Sequence, residues 1–350
     1  MMRVWRLAVA VGGLLICLAW TCAASPESRK IIIDTDPGAD DAMAILLALN
    51  SPELDVKALT VVAGNVVVEQ GLDNALKLVS LAGRCDVAVA RGAGQPLVQK
   101  LITAEFFHGK NGLGDVELPA PVCHADARFA PDLIIELVHQ YPHEITLVPV
   151  GPLTNIALAV SKDPSLVPLV KEVVLMGGAT SGGNATAAAE ANIYNDPEAA
   201  RVVFEAGWPL TMVGLNVTER TRFTRADLNQ LAKTHGREND FAVGVLKFMV
   251  DLAGKLGADG TAMHDPLAVG AVIDRSLITT ADMRVDVETR GEHTRGETVA
   301  SRHNSSDRKV RRGNRYVIDG IEKVQPNVHV AVESDAKRFI QLFVSRVAGK

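Results

Sequence analysis

The chain is 350 residues long, 47% hydrophobic and 22% charged, with a net charge of −5. That composition suits a globular protein with a large core, and length alone leaves one or two domains open. An acidic balance, with no long basic stretch apart from 308–315, argues against a nucleic-acid partner; that segment reads as a solvated hairpin or loop.

Arg3 and Arg6 precede an apolar run from Leu7 to Trp20, closed by the small residues Cys22, Ala23, Ala24 and Ser25. This layout reads as a secretory signal peptide over 1–24. It leaves a mature body over 25–350 that is secreted or periplasmic and free of the membrane once cleaved. A retained anchor and lipidation at Cys22 are the alternatives, and each also puts the folded body outside the cytoplasm. Cleavage leaves Cys85 and Cys123. An oxidising compartment permits a bridge between them, while two separate, partly buried thiols fit equally well.

Periodicity then alternates along the chain. A strand over 31–35 leads into a helix over 41–49, a strand over 56–63 into a helix over 67–81, and a short strand over 86–90 into a glycine-rich loop over 91–114. A helix over 133–140 precedes a strand over 145–150 and a helix over 155–160. A strand over 172–176 precedes a helix over 197–206, and a strand over 210–213 follows. The stretch 225–255 is mainly helical, 283–332 strand-like with polar turns, and 336–347 an amphipathic helix. Nearly continuous apolar strands between amphipathic helices predict an α/β fold, a doubly wound, mostly parallel sheet with helical and hairpin insertions. Right-handed crossovers put every loop that follows a strand on one edge, where such sheets bind ligands.

The first of those loops concentrates charge. Asp34, Asp36, Asp40 and Asp41 crowd the end of one strand and the first turn of the next helix, around Pro37-Gly38. Two carboxylates about 4 Å apart repel by roughly 4 kcal/mol at an effective dielectric near 20. A helix N-terminus offsets only about 0.3–1 kcal/mol per charge. A divalent metal accounts for the cluster most simply. Other polar groups also follow strands: Gly64-Asn65, Val150-Gly-Pro-Leu-Thr-Asn155, Gly177-Gly178, Asn184-Ala-Thr186, Glu190-Ala-Asn192 and, opening a later helix, His264-Asp265-Pro266. Singly, each reads equally as a turn or a helix cap.

Together these motifs resemble the inosine–uridine-preferring nucleoside hydrolases, in that family's order and across the mature chain. The match begins with Asp34-Thr-Asp-Pro-Gly-Ala-Asp-Asp41 and extends through Asp196-Pro-Glu198 to His264-Asp-Pro266. The resemblance implies a Rossmann-like nucleoside hydrolase fold and a Ca²⁺ held by Asp36, Asp41, Asp265 and the backbone carbonyl of Val150, an all-oxygen set suited to a hard cation. It implies hydrolysis of a small-molecule ribonucleoside to ribose and free base, with Asp36 as general base for the attacking water. Asp40 and Asn65 are then expected on the 2′- and 3′-hydroxyls, Asn184, Glu190 and Asn192 on the ribose and its 5′-hydroxyl, and Met176 along the pocket wall. Asp34 is expected to orient the ligands from behind. His264 would protonate or polarise the leaving base. His108, in the glycine-rich loop, matches a base-facing position and reads equally as a surface histidine. A homo-oligomer, dimer or tetramer, is also implied.

The chain departs from the pattern at Ala191, where many relatives carry phenylalanine, and in keeping only Trp208 after cleavage, so purine stacking on tryptophan is unsupported. That favours the inosine–uridine or pyrimidine type. Asn184, Asn216 and Asn304 head glycosylation acceptor triplets. Two rival readings stand beside the hydrolase. A haloacid-dehalogenase-like phosphatase would use Asp34 and Asp36, but Pro37-Gly38 follow and its later motifs are missing. An exported nucleoside- or sugar-binding protein without turnover would need neither Asp36 nor His264.

Overall fold

The computed structural model describes residues 28–301 and 325–348; the signal-peptide reading, the 308–315 turn and the Asn304 acceptor lie outside these residues. In chain order the first half comprises β1 (Arg29–Thr35), α1 (Ala39–Leu49), β2 (Leu54–Val61), α2 (Val68–Leu81), β3 (Ala88–Arg91), α3 (Glu105–His108), α4 (Ala130–Gln140), β4 (Thr146–Pro149) and α5 (Thr154–Lys162). Next come β5 (Glu172–Met176), α6 (Ala191–Asn195), α7 (Pro197–Glu205), β6 (Leu210–Val213), α8 (Leu215–Thr218) and β7 (Arg222–Phe223). The remainder is α9 (Arg225–Leu231), α10 (Arg237–Lys255), β8 (Thr261–Ala262), α11 (His264–Ile273), β9 (Ile278–Val287), β10 (Thr298–Ser301), β11 (Val328–Ser334) and α12 (Ala336–Val347).

Nine strands form one sheet in the order β10-β9-β11-β6-β5-β4-β1-β2-β3. The run from β11 to β3 is parallel, and β9 pairs antiparallel with both β10 and β11. The doubly wound expectation holds, with the antiparallel hairpin added at one edge. From β1 the chain first moves outward to β2 and β3, then returns to the other side of β1 for β4, β5 and β6. The order therefore reverses between β1 and β4, where Asp34 pairs in register with Pro149. Crevices at such reversals are where open α/β sheets bind ligands.

Period-two alternation feeds two cores. Ile31 and Ile33 face the layer built from α1, α2, α10, α11 and α12, while Ile32 faces α4, α5 and α7. Every residue of α1 is buried, as expected of a helix that is apolar nearly all round and lies inside a larger domain. Several short elements were not expected from sequence: α3 inside the 91–114 loop, α6, α8 and the small β7–β8 sheet. The alternative left open for the cysteines resolves as a Cys85–Cys123 disulfide, 38 residues apart in sequence, tying the turn after α2 to the segment that precedes α4. Replacing both cysteines by serine is expected to lower the unfolding free energy by about 2–4 kcal/mol, through the freedom returned to the unfolded chain. Urea melts of the oxidised protein and the double variant would measure it, and coincident midpoints would contradict it.

Candidate active site

The β1–α1 turn builds the acidic cluster from short-range chemistry. Pro37-Gly38 ends the strand, and Gly38 sits at the N-cap of α1 with no side chain to offer. Asp41 fills that deficit. One of its oxygens accepts from the Thr35 hydroxyl (2.5 Å) and the Asp36 amide (3.3 Å), the other from the Gly38 amide and the Asn65 side-chain amide (both 3.0 Å). It thus caps the helix and belongs to the cluster at once. Asp36 accepts the Asn65 amide on Oδ2 (2.6 Å), while its Oδ1 is buried with no hydrogen-bond partner. Glycines make room for this carboxylate. A Cβ on Gly64 would fall 2.0 Å from Asp36 Oδ2, and one on Gly151 2.5 Å from Oδ1.

Asp265 arrives from the first turn of α11, which packs along α1. Asp40, Asp41 and Asp265 each offer an oxygen, all within 4.8 Å of one another, an arrangement able to hold a metal ion. Asp40 Oδ1 is likewise buried without a hydrogen-bond partner. The Val150 carbonyl, at the end of β4, accepts from the Asn192 side chain at 2.8 Å; the same amide reaches the Met176 carbonyl and Sδ at 3.2 and 3.4 Å. Glu190 caps α6, accepting from the amides of Asn192, Ile193 and Gly178. Asp34 points elsewhere: its Oδ1 is held by Thr60 (2.6 Å) and Asn155 (2.8 Å), tying β1 to β2 and α5 behind the cluster.

Both histidines converge on Asp40. His108, on α3, is mostly buried; its Nδ1 accepts from the Ala39 amide at 3.1 Å and lies 3.5 Å from Asp40 Oδ1, so the surface-histidine reading does not apply. Asn74 secures that loop by donating to the Pro37 and Asn111 carbonyls. His264 opens α11, with Nδ1 2.8 Å from the Thr218 hydroxyl. Asn184 stands apart. It is exposed, and its Oδ1 accepts the Ala191 amide at 2.9 Å, so it shapes the loop between β5 and α6 at the outer edge. Pocket burial therefore does not shield its acceptor triplet. Asn216 instead donates to the Ala331 carbonyl. Trp208 is packed in the core beneath α7, its indole N–H on the Val203 carbonyl.

Burial raises the pKa values of Asp36 and Asp265 well above the carboxylate range. The charge of Asp41 adds to the rise at Asp36, and that of Asp40 at Asp265. Burial likewise raises Asp40, Asp41 and Glu190, and lifts Asp34 to about 7 against the hydrogen bonds from Thr60 and Asn155. The same burial lowers His108 and His264, which therefore favour the neutral ring. Buried carboxylate oxygens without partners, set close together, could hold a cation, and an all-oxygen set fits a hard one.

Sequence reasoning named the cluster but gave no role to Thr35, Thr60, Asn155 or Thr218. The register partnership of Asp34 with Thr60 across β1 and β2 is a signal that strand pairing alone would have supplied. Thr218 had none, because its partner lies 46 residues away.

Comparison with known proteins agrees with this geometry. The profile of the inosine-uridine preferring nucleoside hydrolases matches residues 31–341. A pyrimidine-specific ribonucleoside hydrolase, RihA of Photobacterium profundum, is 39% identical over 92% of this chain and 99% of its own. Uridine nucleosidase 1 of Arabidopsis thaliana is 45% identical over 76% of this chain and 80% of its own. The plant nucleoside hydrolase PpNRh1 superposes with a TM-score of 0.85 at 38% identity, covering 93% of this chain and all of that one.

The tight fit around Asp36 has a direct consequence. Gly64→Ala and Gly151→Ala are each expected to cost about 1–3 kcal/mol of stability through overpacking. Gly254→Ala, in α10 with nothing near its would-be Cβ, should stabilise by up to about 1 kcal/mol. Chemical denaturation of the three variants checks the contrast.

Proposed function

This chain belongs to the inosine-uridine preferring nucleoside hydrolase family and is a ribonucleoside hydrolase, and from that premise we propose that it cleaves uridine-type ribonucleosides around a Ca²⁺ held by Asp36, Asp41, Asp265 and the Val150 carbonyl. The observation that carries this reading is the pair of buried oxygens without partners, Asp36 Oδ1 and Asp40 Oδ1, at the crevice where strand order reverses. When bound, such a cation would supply positive charge that draws water and ribose hydroxyls into the acidic site and lowers the pKa of that water.

The residues divide the remaining work. Asp36 takes the proton from the attacking water, with burial and the charge of Asp41 raising its pKa and so its basicity. Asp40 and Asn65, beside it, hold the 2′- and 3′-hydroxyls. Glu190 and Asn192 hold the far side of the ribose, with Met176 as the wall between them, and Asn184 acts from the rim through the loop it shapes. The buried carboxylates stabilise the oxocarbenium character that develops as the N-glycosidic bond lengthens. His264 hydrogen-bonds the departing base, with His108 across from it. Direct displacement by water inverts the anomeric carbon. A preference for uridine is supported by the names of the relatives, pyrimidine-specific and uridine hydrolases, and by the burial of Trp208 away from the site. Export is supported by the Cys85–Cys123 bridge, which an oxidising compartment maintains, together with the N-terminal pattern.

Steady-state release of ribose from uridine and inosine tests the whole reading; tight binding with no ribose released would replace it by the binding-protein alternative. Asp36→Asn should lower kcat by about 100-fold or more, and an unchanged rate would remove Asp36 from the chemistry. Carboxylates whose folded pKa exceeds the unfolded value of about 3.9 withdraw stability as pH rises from that value through the folded one. Chelated protein should therefore melt at a lower temperature at pH 7 than at pH 5, and added Ca²⁺ should restore the loss at pH 7. A melting temperature indifferent to Ca²⁺ would argue against the ion.

A further inference from the structure

We propose that Thr218 is a positioning residue for His264, fixing its ring and its tautomer so that the protonated nitrogen faces the leaving base. The inference rests on the reading of His264 given above. Thr218 closes α8 and is completely buried, and its hydroxyl lies 2.8 Å from His264 Nδ1. Among the described residues that hydroxyl has no other hydrogen-bond partner. A buried hydroxyl with one partner directs its proton there, because an O–H donor left unbonded in the interior is costly. The threonine therefore donates, Nδ1 accepts, and the neutral imidazole carries its proton on Nε2.

That assignment matters because a neutral imidazole has a single N–H to offer. With Nδ1 occupied by Thr218, Nε2 is the donor left for the base. If the ring gains a second proton, the threonine hydroxyl turns and accepts from Nδ1 without moving its backbone. The helix is well suited to the task. Gly214 caps it, its backbone is held by amides returning to Gly214, and Thr221, three residues on, is pinned to Val217 and Ser334. The hydroxyl consequently has little freedom to leave the ring.

The test compares uridine with 4-nitrophenyl riboside, whose leaving group needs no proton, on the Ca²⁺-loaded protein. Thr218→Val, which keeps the volume and removes the donor, should lower kcat on uridine by about 10- to 100-fold, the usual cost of losing a partner that orients a functional histidine. KM should change little, the nitrophenyl substrate should lose no more than about threefold, and Thr218→Ser should recover most of the uridine rate. In the His264→Ala background Thr218→Val should add nothing. Equal losses on both substrates, or a full additional loss in that background, would overturn the role of Thr218. If His264→Ala itself harms both substrates equally, the reading of His264 fails instead, and the two failures are thereby told apart. Should Thr218→Val not fold, nitrogen-15 spectra of histidine-labelled wild-type protein decide the matter. A neutral His264 protonated on Nε2 supports the assignment, and one protonated on Nδ1 overturns it.

Discussion

The structure depends on one electrostatic constraint: several carboxylates are taken out of water at a single sheet edge. Asp34, Asp36, Asp41 and Asp265 are all at most 3% exposed, and burial is the first cause of every raised pKa among them. Most of what surrounds them meets that constraint. Glycines at 64 and 151 admit the Asp36 carboxylate, threonine and asparagine donors fix Asp34 and Asp41, and the amides at the start of α1 and α6 face Asp41 and Glu190. Three oxygens of the acidic group are left without partners, Asp34 Oδ2, Asp36 Oδ1 and Asp40 Oδ1, beside carboxylates able to hold a cation.

The topology explains why this burden falls where it does. Reversal of strand order between β1 and β4 opens a crevice at their carboxyl ends, and the loops after both strands enter it. Under that crevice α1 is wholly buried, packed against α11, α10, α12 and β2. Asp40, Asp41 and Asp265 therefore meet because two packed helices start at the same edge, each presenting acids in its first turn. The positive helix ends and the acids suit one another, yet that attraction is small beside the repulsion it faces.

The histidines show a different economy. Each is secured through Nδ1, His108 by a backbone amide and His264 by a threonine hydroxyl, so both rings turn their other nitrogen away from the contact. A backbone amide can only donate, whereas a hydroxyl can also accept. His108 is thus confined to a ring with Nδ1 unprotonated, while His264 sits against a partner able to follow a change of proton. The two rings thus differ in the chemistry of the neighbour that holds each one.

Much of this was legible in the chain. The alternation of apolar strands and helices, the stop at Pro37-Gly38 and the crowd of aspartates around it fixed the fold class, the binding edge and the need for a metal, because periodicity and charge density are local properties. Family resemblance then ordered the remaining motifs. What the chain could not express was partnership. The buried seat of His108, the bridge between Cys85 and Cys123, the hold of Thr218 on His264 and that of Asn155 on Asp34 all required the folded backbone. These contacts span as many as 121 residues, as between Asn155 and Asp34. They exist only once the strand order has decided which loops become neighbours, and no short window of sequence encodes that order.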